Sequence, residues 1–95
     1  MAKKIIKGKT YNTSTSYHIG TRIREFHSHK NDAHIEEYEH LHLRKKDDEY
    51  FIHTLVFNFN NEGKMTYSTE NITLADDHKV EAFKSREYRT KVYID

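Results

Sequence analysis

A chain of 95 residues is long enough for one domain with a thin core, and it is read as a single domain over 1–95. Hydrophobic and charged residues are nearly balanced, at 35% and 33%, and 13% aromatic content argues against disorder. The absence of cysteine rules out disulfides and thiolate ligands, and a formal charge of +1 is unlike both a dedicated nucleic-acid binder and an acidic DNA mimic.

Lys3-Lys-Ile-Ile-Lys-Gly-Lys-Thr-Tyr11 reads as a short strand, a turn at Gly8 and a second extended piece. Asn12-Thr-Ser-Thr-Ser16 is a cluster of helix N-cap residues. Behind it Ile19, Ile23 and Phe26 recur at helical spacing, which predicts an amphipathic helix over 12–26. Gly20 weakens that helix by about 1 kcal/mol relative to alanine. His18 falls on it with no histidine four residues on, and reads as a surface residue, as does His78. His27-Ser-His-Lys-Asn-Asp32 is the exit loop.

The central stretch, 31–57, reads as two strands around a polar turn. Leu41 and Leu43 alternate with His40, His42 and Arg44, the period of a half-buried strand. Lys45-Lys46-Asp47-Asp48 supplies turn chemistry, and 50–59 is rich in aromatic and β-branched residues. Two registers are open. A two-residue turn pairs Lys46 with Glu49 and sets His42 opposite His53. A four-residue loop pairs Arg44 with Glu49 and sets His40 opposite His53. Both place His40, His42 and His53 on one face, whereas a three-residue loop would send His53 to the other.

Beyond this, Asn58-Phe-Asn-Asn-Glu-Gly63 is a turn and 64–73 a third antiparallel strand. Ala75-Asp-Asp-His78 opens a second helix with acids at its N-terminus, and Val80 and Phe83 form its apolar edge. Alternating Val92 and Ile94 favour a strand for the tail. No run approaches the ~20 apolar residues of a membrane span, and Met1-Ala-Lys-Lys leads into no signal-peptide core.

The expected fold is α+β: an antiparallel sheet of three or four strands, an N-terminal helix on one face, and a second helix near the C-terminus. Ile19, Ile23, Phe26, Leu41, Leu43, Ile52, Val56, Val80 and Phe83 are the expected core. Phe51, Leu55, Phe57 and Phe59 share the parity of His53, so the histidine face also carries large apolar groups. A β-bulge or a partner surface would reconcile the two.

Directly opposed strand residues have Cβ atoms roughly 4.5–5.5 Å apart, which lets their imidazoles share an ion. The metal expectation is therefore a structural zinc on His40, His42 and His53, with a water, Glu36, Asp32 or another histidine fourth. Removing it would lower the melting temperature. A second cluster is His27, His29 and His34 with Asp32. The plain alternative is solvated strand histidines on an open sheet face. Three histidines and a water can activate hydroxide. The chain has no nucleophile motif, Gly-rich phosphate loop or HExxH, so it is read as a binding protein and not an enzyme.

Ile6-Lys-Gly-Lys-Thr-Tyr-Asn-Thr13 is similar to the Gly-Lys-x-Tyr-(Asp/Asn)-Thr opening of small proteins from phages and mobile elements of Gram-positive bacteria. In that group a helix, a strand, a Lys-Lys turn and an aromatic strand follow, and an Ile-x-Leu stretch precedes a last helix. Lys45-Lys46, Glu49-Tyr-Phe-Ile52 and Ile72-Thr-Leu74 match those places. The turn glycine of the group is replaced by Asp47-Asp48, and its glycines after the aromatic strand by His53-Thr-Leu-Val-Phe57. The chain thus resembles phage anti-CRISPR inhibitors. The resemblance implies binding to the host type II RNA-guided effector nuclease in the bacterial cytoplasm, blocking nucleic-acid loading. Tyr38, Tyr50, Tyr67, Arg86 and Tyr88 are the candidate partner contacts, since Tyr and Arg anchor interfaces. The alternative is a nucleic-acid-binding accessory protein that uses Lys3, Lys4, Lys7, Lys9, Lys84, Arg86, Arg89 and Lys91 as basic patches.

Overall fold

The segment read as a helix is the longest strand of the protein. In the computed structural model, which describes residues 2–85 and 89–94, a single 3₁₀ turn at Thr13–Thr15 leads into β3, Ser16–Ser28. Asn12 does cap, its side chain accepting from the Ser14 amide at 2.9 Å, but the turn it caps stops after three residues. Tyr17, Ile19, Thr21, Ile23 and Phe26 are β-branched or aromatic, poor in helices and favoured on a pleated surface. The helical spacing of Ile19, Ile23 and Phe26 is coincidental. Ile19 sits in a register shift between His18 and Gly20 and is 44% exposed, while Ile23 and Phe26 point to opposite faces.

The remaining elements are β1 (Lys3–Ile6), β2 (Lys9–Asn12), β4 (His34–Arg44), β5 (Glu49–Phe59), β6 (Met65–Leu74), α1 (Asp77–Ser85) and β7 (Arg89–Ile94). Five strands form one sheet in the order β6-β5-β4-β3-β7, antiparallel except for β7, which runs parallel to β3. Strands β1 and β2 make a separate hairpin, turned at Lys7 and Gly8, both at positive φ. The protein is therefore mostly β with a mixed sheet. The expected α+β fold with an N-terminal helix is corrected. The acid-led segment does form α1, with Asp76 accepting from the Lys79 amide at 2.8 Å as its cap.

Two small cores lie on opposite faces of this sheet. On one, α1 lays Val80 and Phe83 with Ala75 over Leu41 and Ile52. There Arg22, beneath the Phe83 ring, donates from Nε at 2.9 Å and from Nη2 to the Glu39 carboxylate. This ion pair is buried, so removing one partner leaves an uncompensated charge. On the other face the β1–β2 hairpin sets Ala2 and Tyr11 over Phe51 and Ile72, with Tyr11 meeting Phe51 edge-on at 5.4 Å. Of the expected core, Ile23, Leu41, Ile52, Val80 and Phe83 are buried, Phe26, Leu43 and Val56 half-buried, and Ile19 exposed.

Both coverings sit at the end of the sheet near the Lys45–Asp48 turn. The molecule extends 46 × 27 × 19 Å, and the far half of the long strands carries no layer on either face among the described residues. No helix among these residues is long and apolar enough to cross a membrane.

Strand and helix readings of 16–28 differ in what Ile19 does. Leu41→Ala removes a fully buried side chain and is expected to cost about 2–5 kcal/mol. Ile19→Ala is expected to cost less than about 1 kcal/mol. Urea unfolding of both variants measures the contrast.

Candidate functional site

The chain takes the wider of the two loops: Arg44 pairs with Glu49, and His40 lies opposite His53. Asp48 adopts φ 55°, and its amide donates to the Arg44 carbonyl at 2.9 Å. The β1–β2 hairpin clamps this loop. Lys9 bridges Asp47 and Glu49 at 3.1 and 3.0 Å. Tyr11 donates to Glu49 at 2.7 Å, and Arg44 donates to the Thr10 carbonyl and to Asp47. The Tyr11 hydroxyl, with Lys9, holds the Glu49 carboxyl below its ordinary range.

That register lines up one face. His42 stacks on Phe51 at 5.2 Å, and His40 lies 5.9 Å from His53, ring to ring. On β3 the bulge at Ile19 matters most. It places His18 opposite His42 and Thr21 opposite His40, so two residues three apart share a face. His18, expected on a helix surface, therefore joins the cluster, 5.3 Å from His42 and 5.5 Å from His40.

The three expected ligands thus share a face, but their nitrogens have separate partners. His40 Nδ1 meets Thr21 Oγ1 at 2.9 Å, His42 Nδ1 meets Ser16 Oγ at 2.8 Å, and His53 Nε2 meets Glu70 at 2.7 Å. Among the described residues, no three His, Asp or Glu side chains converge as ligands of one ion. Burial is the main cause that pushes His42 down to about 4, with the neighbouring His18, His40 and His53 adding to it. Burial, then His18 and His53, also lowers His40. Crowded, half-dry imidazoles cannot all carry a proton.

The second cluster is a row of rings rather than a chelate. His27 and His34 stack at 5.2 Å, His34 stacks on Phe59 at 4.6 Å, and His29 stacks on Tyr93 at 5.2 Å. Glu25 and Glu36 take one nitrogen each from His27 and His34, while Asp32 lies exposed in the loop. Between the two clusters, Glu36, Tyr38, His40, Leu55, Phe57, Phe59 and Met65 line a shallow depression.

Of the candidate partner contacts, Tyr38 lies in this depression, with its hydroxyl on Glu36 at 2.6 Å. Tyr67 is 62% exposed on β6, whereas Tyr50 packs against the core beneath α1. Arg86 and Tyr88 lie outside the described residues. Two of the expected patch cations are neutralised locally. Lys9 meets Asp47 and Glu49, and Arg89 meets Glu25 at 2.7 Å. In the sequence His18 reads as a surface residue, and Ser16, Thr21 and Glu70 are not candidate site residues. The run of β-branched and aromatic residues through 17–26 is the signal that places the first three on a strand.

Comparison with family models, with characterised proteins and with solved structures finds no match.

The depressed His42 has a sign. Its unfolded form, near 6.5, binds a proton before the folded form does. The stability it contributes is therefore complete above that value and is lost as pH falls toward about 4. In chelator, chemical denaturation at pH 7 and pH 5 is expected to differ by on the order of 2 kcal/mol from this residue. His42→Asn should flatten most of that slope. An equal slope in the variant would remove His42 as its cause.

Proposed function

We propose that this protein works by binding another protein through the uncovered half of its sheet. The target implied by the resemblance is the type II RNA-guided effector nuclease, whose loading with nucleic acid it would block. One observation supports binding above all. Leu55, Phe57, Phe59, Tyr38 and Met65 sit on the half of the histidine face that the hairpin leaves uncovered, and Met65 is more than half exposed. A contiguous apolar and aromatic surface rimmed by polar groups is what protein interfaces use. The adjacent outer strand, β6, is exposed from Met65 to Asn71, which also leaves a sheet edge for strand addition. The nucleic-acid alternative draws less support, because Lys9 and Arg89 of its basic patches sit in ion pairs with carboxylates.

The test is co-elution with a purified type II effector and inhibition of its target cleavage. The expected result is a complex that survives moderate salt. Phe57→Glu, on the open face, should weaken it by about tenfold or more, while a solvated substitution at His78 leaves it intact. Absence of both co-elution and inhibition would refute the nuclease as target. Salt-sensitive binding to free DNA or RNA would favour the accessory-protein alternative.

A further inference from the structure

We propose a transition-metal site whose first two ligands are His18 Nε2 and His40 Nδ1, with the Thr21 hydroxyl beside them and His42 as the third imidazole. The proposal stands independently of the partner reading above. Two nitrogens bound to one tetrahedral ion, each about 2.0–2.1 Å from it, lie on the order of 3.3 Å from each other. His18 Nε2 and His40 Nδ1 are 3.4 Å apart. Thr21 Oγ1 lies 3.0 Å from the first and 2.9 Å from the second. Two imidazole nitrogens and an oxygen are therefore already gathered around one point.

The backbone explains why. Without the bulge at Ile19, His18 and Thr21 would project from opposite faces of β3, since strand side chains alternate. The inserted residue brings both onto the histidine face, and bulges are a common means of re-aiming side chains at sites. Rings sharing an ion have centroids about 5–6 Å apart. By that measure His42 lies 5.3 Å from His18 and 6.5 Å from His40, and it presents its Nδ1 to Ser16. Turning that ring would exchange the Ser16 contact for a third nitrogen ligand. His53 is held by Glu70 on the far side of His40 and is not needed for the set.

Imidazole and oxygen donors without thiolate suit Zn²⁺, Ni²⁺ and Cu²⁺, not Mg²⁺ or Ca²⁺. His18 is exposed, so an ion can enter from solvent, and replacing His18 costs little packing. The site spans β3 and β4, so an ion there would tie together the two strands that meet at the bulge.

The experiment titrates Zn²⁺ into chelator-stripped protein without a histidine tag at pH 7.5, read by calorimetry and by thermal unfolding. One ion per chain and a raised melting temperature are expected. His18→Ala and His40→Ala should each weaken binding by about tenfold or more, while His34→Ala, in the distal ring row, leaves it unchanged. His18→Ala is the decisive variant, since its fold is checked by an unchanged melt in chelator. No saturable binding to the wild type would overturn the proposal. So would affinity unaffected by His18→Ala, or weakened equally by His34→Ala.

Discussion

The four-residue loop between β4 and β5 sets nearly everything that follows. Arg44 pairs with Glu49, and Asp48 takes a left-handed conformation that closes the loop. From there the alternation of strand side chains assigns His40, His42, Phe51 and His53 to one face and Leu41 and Ile52 to the other. A slip of one residue would exchange the faces of β5 and break both cores together. Lys9, Tyr11 and Arg44 hold the loop from the hairpin side, so the N-terminal hairpin serves as a lock on register as well as a cover.

The distribution of cover follows from the size of the chain. One nine-residue helix and one four-residue hairpin pair can shield only part of strands that run eleven to thirteen residues. Both are spent at the turn end, where they bury Leu41, Phe51 and Ile52 completely. The other end makes do with lateral contacts within the sheet. His27, His34 and Phe59 stack across three strands, and Tyr38 leans on Phe57 at 5.7 Å. Such cross-strand ring pairs stabilise a sheet face without removing it from water. This accounts for the apparent conflict between histidines and large apolar groups on one face. Phe51 is covered by the hairpin, and Leu55, Phe57 and Phe59 remain at the open end.

Two kinds of polar burial coexist in this thin structure. Arg22 and Glu39 form a paired, charged contact under α1, with the Phe83 ring over the guanidinium. On the opposite face, burial first and neighbouring imidazoles second lower the pKa of His40 and His42. Protonating one of these imidazoles penalises the next.

How much of this was legible in the residues depends on range. The alternation of 40–44, the turn chemistry of 45–48, the aromatic run after it and the turn at Gly8 are local patterns, and by themselves they determined a central hairpin, whereas the loop length that sets His40, His42 and His53 on one face was fixed only by the register of the assembled sheet. The acid-led helix near the end was legible for the same reason. Whether 16–28 became helix or strand was decided by tertiary structure, because apolar residues at 19, 23 and 26 satisfy a helical period equally well. The free edge of β4, with eleven residues to pair, settled it as a strand. Pairing along that edge also created the bulge that turns His18 toward His40. No local signal encodes a bulge whose cause is a neighbour twenty residues and more away in sequence, and so the fourth histidine came into view only when the sheet was assembled.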